Sequence, residues 1–254
     1  SGITNMILDA LFMAVFGWGI AGAALATAIA QAVGGLVPII YFVRPNTSLL
    51  RLSKPELDFK ALFKICTNGS SELMTNLSMS VVGILYNLQL MKYAGENGIA
   101  AYGVLMYVNF VFLSAFIGFS VGIAPVVSFH FGAKNHSELK SLLKKSMVVI
   151  SIFAVSMFIL AEVLASPLSH TFVGYDADLT KLTLKGFLIF SFSFLFAGYA
   201  IFSSAFFTAL NDGLTSAIIS FLRSMVFQII NVIVLPVFWG INGIWISVIV
   251  AEFM

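Results

Sequence analysis

The sequence predicts an all-α protein, a polytopic bundle of membrane-spanning helices, and three observations carry that prediction. Apolar residues fill 60% of the 254 positions and charged residues only 9%, where a soluble domain carries about 25% charged. Mean hydropathy is +1.03, and a globule of this size cannot hide such a composition because it still needs a polar surface. The apolar residues also fall into runs near or above the roughly 20 residues that a spanning helix requires.

Eight such runs are predicted: 1–16, 20–43, 65–91, 98–130, 146–168, 184–209, 214–238 and 240–254. Several exceed a minimal span, so tilt, kinks or helical extensions into water are expected. The sequence opens inside one apolar run and stops inside another, and is expected to be a piece of a longer chain. Orientation follows from lysine and arginine. Stretch 44–64 carries Arg44, Arg51, Lys54, Lys60 and Lys64, and stretch 131–145 carries Lys134, Lys140, Lys144 and Lys145. The loops of opposite parity carry only Lys92, Lys181 and Lys185, so the first group is predicted to be cytoplasmic. Arg223 is the one basic residue inside a span; it is expected in the cytoplasmic half or on the wall of a wet cavity.

An internal repeat divides the chain. Gly19-Ile20-Ala21-Gly22 with Ala30-Gln31 recurs 221 positions on as Gly240-Ile241-Asn242-Gly243 with Ala251-Glu252. That offset spans six predicted helices, and a duplication of six helices in one orientation is a transporter design. On this count residues 1–43 end an N-terminal lobe as its helices five and six. Residues 44–64 form a cytoplasmic linker, and residues 65–254 form a C-terminal lobe of helices seven to twelve. The first four helices lie outside the sequence.

The first two runs hold a polar constellation. Asn5 and Asp9 are four apart and share a helix face. Asp9 stands nine residues before Trp18 and Thr27 nine after it, which in an antiparallel hairpin sets both about 13–14 Å from the turn, near mid-membrane. Gln31 lies one turn beyond Thr27, and Gly22, Ala26 and Ala30 make a small-residue strip for close helix packing. A carboxylate at that depth costs about 2.5–3.5 kcal/mol. Grouped with an amide and a hydroxyl it suits a small hard cation such as Na⁺; desolvated, it can carry a proton instead. The bland alternative is a helix-end Asp capped by its neighbours and facing water. At the 221 offset Thr27 falls on Val248, and matching Asn5 to Asn231 sets Asp9 on Leu235. The second half is therefore expected to keep the packing and lose the polar cluster.

Other polar residues leave two readings each. Glu72, at the start of the third run with Asn76 one turn on, could bind a cationic substrate or a proton, or could be a helix-start carboxylate favoured by the dipole. Glu162 and Glu252 are expected near helix ends or the edge of the sequence. Pro125, after Gly122, should kink its helix, as a hinge or as a static bend. His130, His136 and His170 show no metal-ligand spacing, and Cys66 is the sole cysteine. The 26 Phe and 10 Met could line an adaptable cavity, although most must face lipid or pack helices. No His-Glu-x-x-His, phosphate-loop or cysteine-pair pattern occurs, which disfavours an enzyme or an ATP-driven pump.

Asn5-Met6-Ile7-Leu8-Asp9 followed by Gly19-Ile20-Ala21-Gly22-Ala23-Ala24-Leu25-Ala26-Thr27 resembles the fifth and sixth helices of MATE (multidrug and toxic compound extrusion) exporters, especially their prokaryotic DinF-like branch. Gly98-Ile99-Ala100-Ala101-Tyr102-Gly103 resembles the start of that family's eighth helix. Gly122-Ile123-Ala124-Pro125-Val126-Val127-Ser128 with Gly132-Ala133-Lys134-Asn135 resembles its end. The resemblance implies twelve helices in two lobes in the plasma membrane of a prokaryote, working as a monomer. It implies export of drugs or organic cations against Na⁺ or H⁺, with no other cofactor and no nucleic-acid partner. It carries the cation site onto Asn5, Asp9 and Thr27, completed by an Asp on the family's first helix. The family's helix-seven Glu falls closer to Asn76 than to Glu72. The alternative is a flippase for lipid-linked oligosaccharide from the same superfamily, which would need several basic residues in its cavity.

Overall fold

The computed structural model of the protein describes residues 1–44 and 57–254, and among these residues every regular element is a helix. Two compact units separate, Ser1–Asp58 and Phe59–Met254.

The first unit is a helical hairpin. α1 runs Gly2–Asp9 and continues as a π-helical turn over Ala10–Val15; α2 runs Gly19–Val43. Gly17 (φ +66°) and Gly19 (φ +53°) make the reversal, a left-handed backbone that glycine adopts without steric cost. At 25 residues α2 is about 37 Å long, enough to cross a hydrocarbon core of about 30 Å. Its buried residues are Gly22, Ala26 and Ala30, the small strip expected from the sequence. A Cβ on Gly22 would meet Phe12 Cβ at 3.0 Å and Trp18 Cβ at 3.1 Å, so the strip is where α1 and α2 touch. Phe12 and Trp18 stack at 5.2 Å beside the turn.

The second unit contains six helical rods. A continuous run Phe59–Gly132 breaks at Gly95 (φ 62°, ψ −151°) into α3 (59–94) and α4 (96–132). α5 is His136–Val173, and α6 is Ala177–Ala209, with a 3₁₀ turn at Ser191–Ser193. The last run starts at Gly213, takes a π turn over Leu222–Phe227 and breaks at Gly240 (φ 55°, ψ −134°), giving α7 (213–239) and α8 (241–253). Gly19 and Gly240, paired by the 221-residue repeat, share the same left-handed backbone. Their partners match too: Gly22 and Gly243 are buried, as are Ala30 and Ala251.

Four expectations need correction. α3 begins at Phe59 and α5 at His136, upstream of the runs predicted from 65 and 146. Charged residues lower hydropathy without lowering helicity, and lysine stems can lie along a helix that leaves the bilayer. Asn135 also caps α5 by accepting from the Glu138 N–H at 3.2 Å, the N-cap and N3 positions of a capping box. Residues 59–64 of the expected linker 44–64 are consequently helical, while 45–56 lie outside the described residues. Glu72 stands thirteen residues inside α3, so a helix N-terminus does not explain it. Glu162 likewise sits within α5, more than two turns from its end at Val173, where Ser191 hydrogen-bonds it.

Small residues set the helix spacing of this unit, as they do where lipid removes the usual hydrophobic drive for association. A Cβ on Gly198 would strike the buried Phe116 ring at 2.5 Å, and one on Gly186 would meet Trp245 at 3.0 Å. Gly213 lies against the α3 backbone, where a Cβ would come 2.5 Å from Asn68 Cα. The largest apolar core joins Tyr86 and Leu90 of α3, Leu105 of α4, Phe187 and Phe194 of α6 and Trp245 of α8.

Candidate functional site

Two polar centres emerge, one in each unit. In the hairpin, Asn5 Nδ2 donates to Thr27 Oγ1 at 3.4 Å, and Thr27 Oγ1 donates to the Ala23 carbonyl at 3.0 Å. Asp9 Oδ1 is shielded from solvent and has no hydrogen-bond partner. Thr27 is thus engaged by Asn5, one turn further from the reversal than the Asp9 expected at its level. The π turn that follows Asp9 contributes to the shift, because i→i+5 bonding takes up an extra residue. Asn5, Asp9 and Thr27 still offer an amide, a carboxylate and a hydroxyl within one hairpin. Gln31 is exposed one turn beyond them.

The second unit holds a cavity of about 730 Å³ lined by α3, α4, α6, α7 and α8. Its wall is mixed. Met79, Met106 and Phe110 give apolar surface, while Tyr86, Tyr102 and Glu72 give polar groups. The two tyrosine rings lie parallel with centroids 5.2 Å apart. Tyr86 Oη is buried 2.8 Å from Gln228 Oε1 and 2.8 Å from Ser247 Oγ, tying α3 to both α7 and α8. A seam of hydroxyls joins α6 to α7: Ser204 contacts Ser216 at 2.9 Å and Ser220 at 2.8 Å, and Thr208 contacts Ser216 at 2.7 Å.

Three charged residues line this cavity among the described residues: Glu72, Arg223 and Glu252. Arg223 Nε donates to Glu252 Oε2 at 2.7 Å and Nη2 donates to Oε1 at 3.0 Å, a two-pronged pair whose geometry only arginine provides. The two side chains are 18% and 10% exposed. Arg223 belongs to the π turn of the α7 run. Glu72 is exposed toward the cavity, and Pro125 also lines it. Asn76 does not; its side chain folds back onto the Glu72 carbonyl at 2.9 Å.

The second half carries no counterpart of the Asp9 and Thr27 side chains, as the repeat predicted, with Leu235 and Val248 at those positions, but it holds a polar cluster of its own. Its cluster uses other residues at other levels: Tyr86, Gln228, Ser247 and the Arg223–Glu252 pair. One signal was available, since Glu252 falls opposite Gln31 in the repeat. A 29-residue separation across a glycine break and a π turn hid its pairing with Arg223.

A match to the MatE family covers residues 73–234. The chain belongs to the MatE family. Similar curated relatives include "Multidrug export protein MepA" of Staphylococcus saprophyticus, 30% identical over 253 residues, covering 96% of this chain and 52% of the relative. Another is "Multidrug export protein MepA" of Staphylococcus haemolyticus, 31% identical over 264 residues, covering 98% of this chain and 54% of the relative. The MatE chain thus spans about half the length of the curated relatives it matches. Among solved structures, a MOP superfamily transporter from Pyrococcus furiosus superposes with TM-score 0.90 at 18% identity, over 98% of this chain and 56% of that one. The Vibrio cholerae MATE transporter VcmN superposes with TM-score 0.81 at 22% identity, over the same shares. These likenesses establish a MATE-type transporter fold for the MatE chain, which is a membrane protein and not an enzyme.

Proposed function

We propose that this MatE chain works in a secondary exporter of amphipathic organic cations, with residues 59–254 as its C-terminal lobe, 1–43 as the end of its N-terminal lobe and 44–58 as a cytoplasmic linker. The observation that carries this reading is the cavity of about 730 Å³, whose apolar and aromatic wall carries the exposed carboxylate of Glu72. Ligand sites have this character, apolar surface with a few placed polar groups, and a lipophilic cation is complementary to it. The names of the staphylococcal relatives point the same way. An oligosaccharide flippase would need several cations on that wall; Arg223 is the one among the described lining residues, and Glu252 holds it.

Energy for export comes from an inward-moving Na⁺ or H⁺ taken up at Asp9, with Asn5 and Thr27 beside it. The shielded, unpartnered Asp9 Oδ1 supports this assignment. One charge moving down 100 mV supplies about 2.3 kcal/mol. The protein acts as a monomer in the plasma membrane of a prokaryote. Efflux of a fluorescent cationic dye from cells tests the reading. Asp9→Ala is expected to abolish efflux, and Glu162→Gln, outside both centres, to retain it. Full efflux by Asp9→Ala would remove the coupling role from the hairpin.

A further inference from the structure

Taking the cavity of the second unit as the drug site, we infer that Arg223 is its specificity-determining residue: by neutralising Glu252 it leaves one free carboxylate, Glu72, and so sets the site for singly charged cations.

The cavity wall carries two carboxylates, Glu72 and Glu252, and one guanidinium, Arg223, among the described residues. They are not equivalent. Both oxygens of Glu252 receive an N–H from Arg223, at 2.7 and 3.0 Å. Both partners are largely removed from solvent. Drawing Glu252 away to a ligand would strand a buried guanidinium without a counter-charge, which is strongly unfavourable. Glu72 is exposed to the cavity, and its carboxylate makes no ion pair with any described residue.

A lipophilic monocation therefore finds a matching charge at Glu72 and apolar and aromatic surface beside it. A dication finds one carboxylate for two charges and must desolvate the second without compensation. The backbone supports a built arrangement. Arg223 lies in the π turn Leu222–Phe227, and such turns re-aim side chains and concentrate at functional sites. Ser220, Ser224 and Gln228 of the same helical run line the cavity beside it, so the pair belongs to the cavity wall and not to the lipid face.

The test measures binding of two probes to the purified protein by equilibrium dialysis, tetraphenylphosphonium as the monocation and decamethonium as the dication. The wild type is expected to favour tetraphenylphosphonium. Arg223→Gln frees the second carboxylate and should shift the ratio toward decamethonium by about tenfold, the effect of one added charge pair at moderate effective dielectric. Arg223→Lys should keep the wild-type ratio. Glu252→Gln leaves an unpaired Arg223 charge on the cavity wall and should weaken both probes. The double variant Arg223→Gln, Glu252→Gln should return the wild-type ratio, because it removes both charges together. An unchanged ratio in Arg223→Gln, or a double variant that behaves like Arg223→Gln, would overturn the inference. If Arg223→Gln does not fold, Glu252→Gln and the double variant decide, since unaltered binding in Glu252→Gln contradicts the charge balance. A wild type that binds neither probe sinks the exporter reading and this inference with it. A wild type that binds tetraphenylphosphonium while the ratio never moves sinks only the role of Arg223.

Discussion

Single residues in this protein are set by what the bilayer withholds. Water is absent from most of the interior, so each polar side chain must find a protein partner or face a cavity. Tyr86 shows the first solution, its buried hydroxyl lying between Gln228 and Ser247 at 2.8 Å each. Tyr86→Phe keeps the ring stacked on Tyr102 and removes only the hydroxyl. It is expected to lower stability by about 1–3 kcal/mol, the cost of stranding buried polar partners, read as a lower unfolding temperature in detergent. Glu72, on the cavity wall, shows the second solution, while the shielded Asp9 Oδ1 has neither. Helical spacing and a short turn made the Asn5–Thr27 pairing legible in the sequence. The sequence left the Tyr86–Gln228–Ser247 node and the Arg223–Glu252 pair illegible. Their members come from different helices, and no local periodicity records which faces will meet.

At the scale of elements, glycine does two different jobs. Gly95 and Gly240 take positive φ and turn one helix into the next; Gly186, Gly198 and Gly243 let neighbouring chains approach. A Cβ on Gly243 would come 2.3 Å from the Leu235 carbonyl oxygen, a backbone atom that cannot swing aside. Gly243→Ala should therefore cost about 1–3 kcal/mol as overpacking. Gly103, inside α4, has nothing within 4 Å of its Cβ position, and Gly103→Ala should be stabilising by about 0.5–1 kcal/mol through helix propensity. Opposite signs in thermal unfolding would support the packing account, and equal signs would contradict it. The repeat announced the special positions correctly, because Gly19 and Gly240 share a left-handed backbone. Helix ends were harder to read. Hydropathy ends where charge begins, whereas α3 and α5 continue through Lys60, Lys64, Lys140 and Lys144.

For the whole molecule, the fold was legible from composition and run length alone, since helices are the structure that satisfies its own backbone in lipid. Orientation rests on the basic residues of stretches 44–64 and 131–145. In a Cys66→Ser background, Ser137→Cys at the start of α5 should react with a membrane-impermeant maleimide only after permeabilisation. Tyr175→Cys, at an 82% exposed position past the other end of α5, should react in intact cells. The reverse pattern would invert the topology. On the proposed mechanism, a cation gradient taken up at Asp9 drives lipophilic cations out. The most direct measurement follows tetraphenylphosphonium in proteoliposomes of the purified protein under an imposed Na⁺ or H⁺ gradient. Movement against the probe's own gradient is expected with one of these ions and none with Asp9→Ala; equal movement with no gradient, or in Asp9→Ala, would contradict coupling at Asp9.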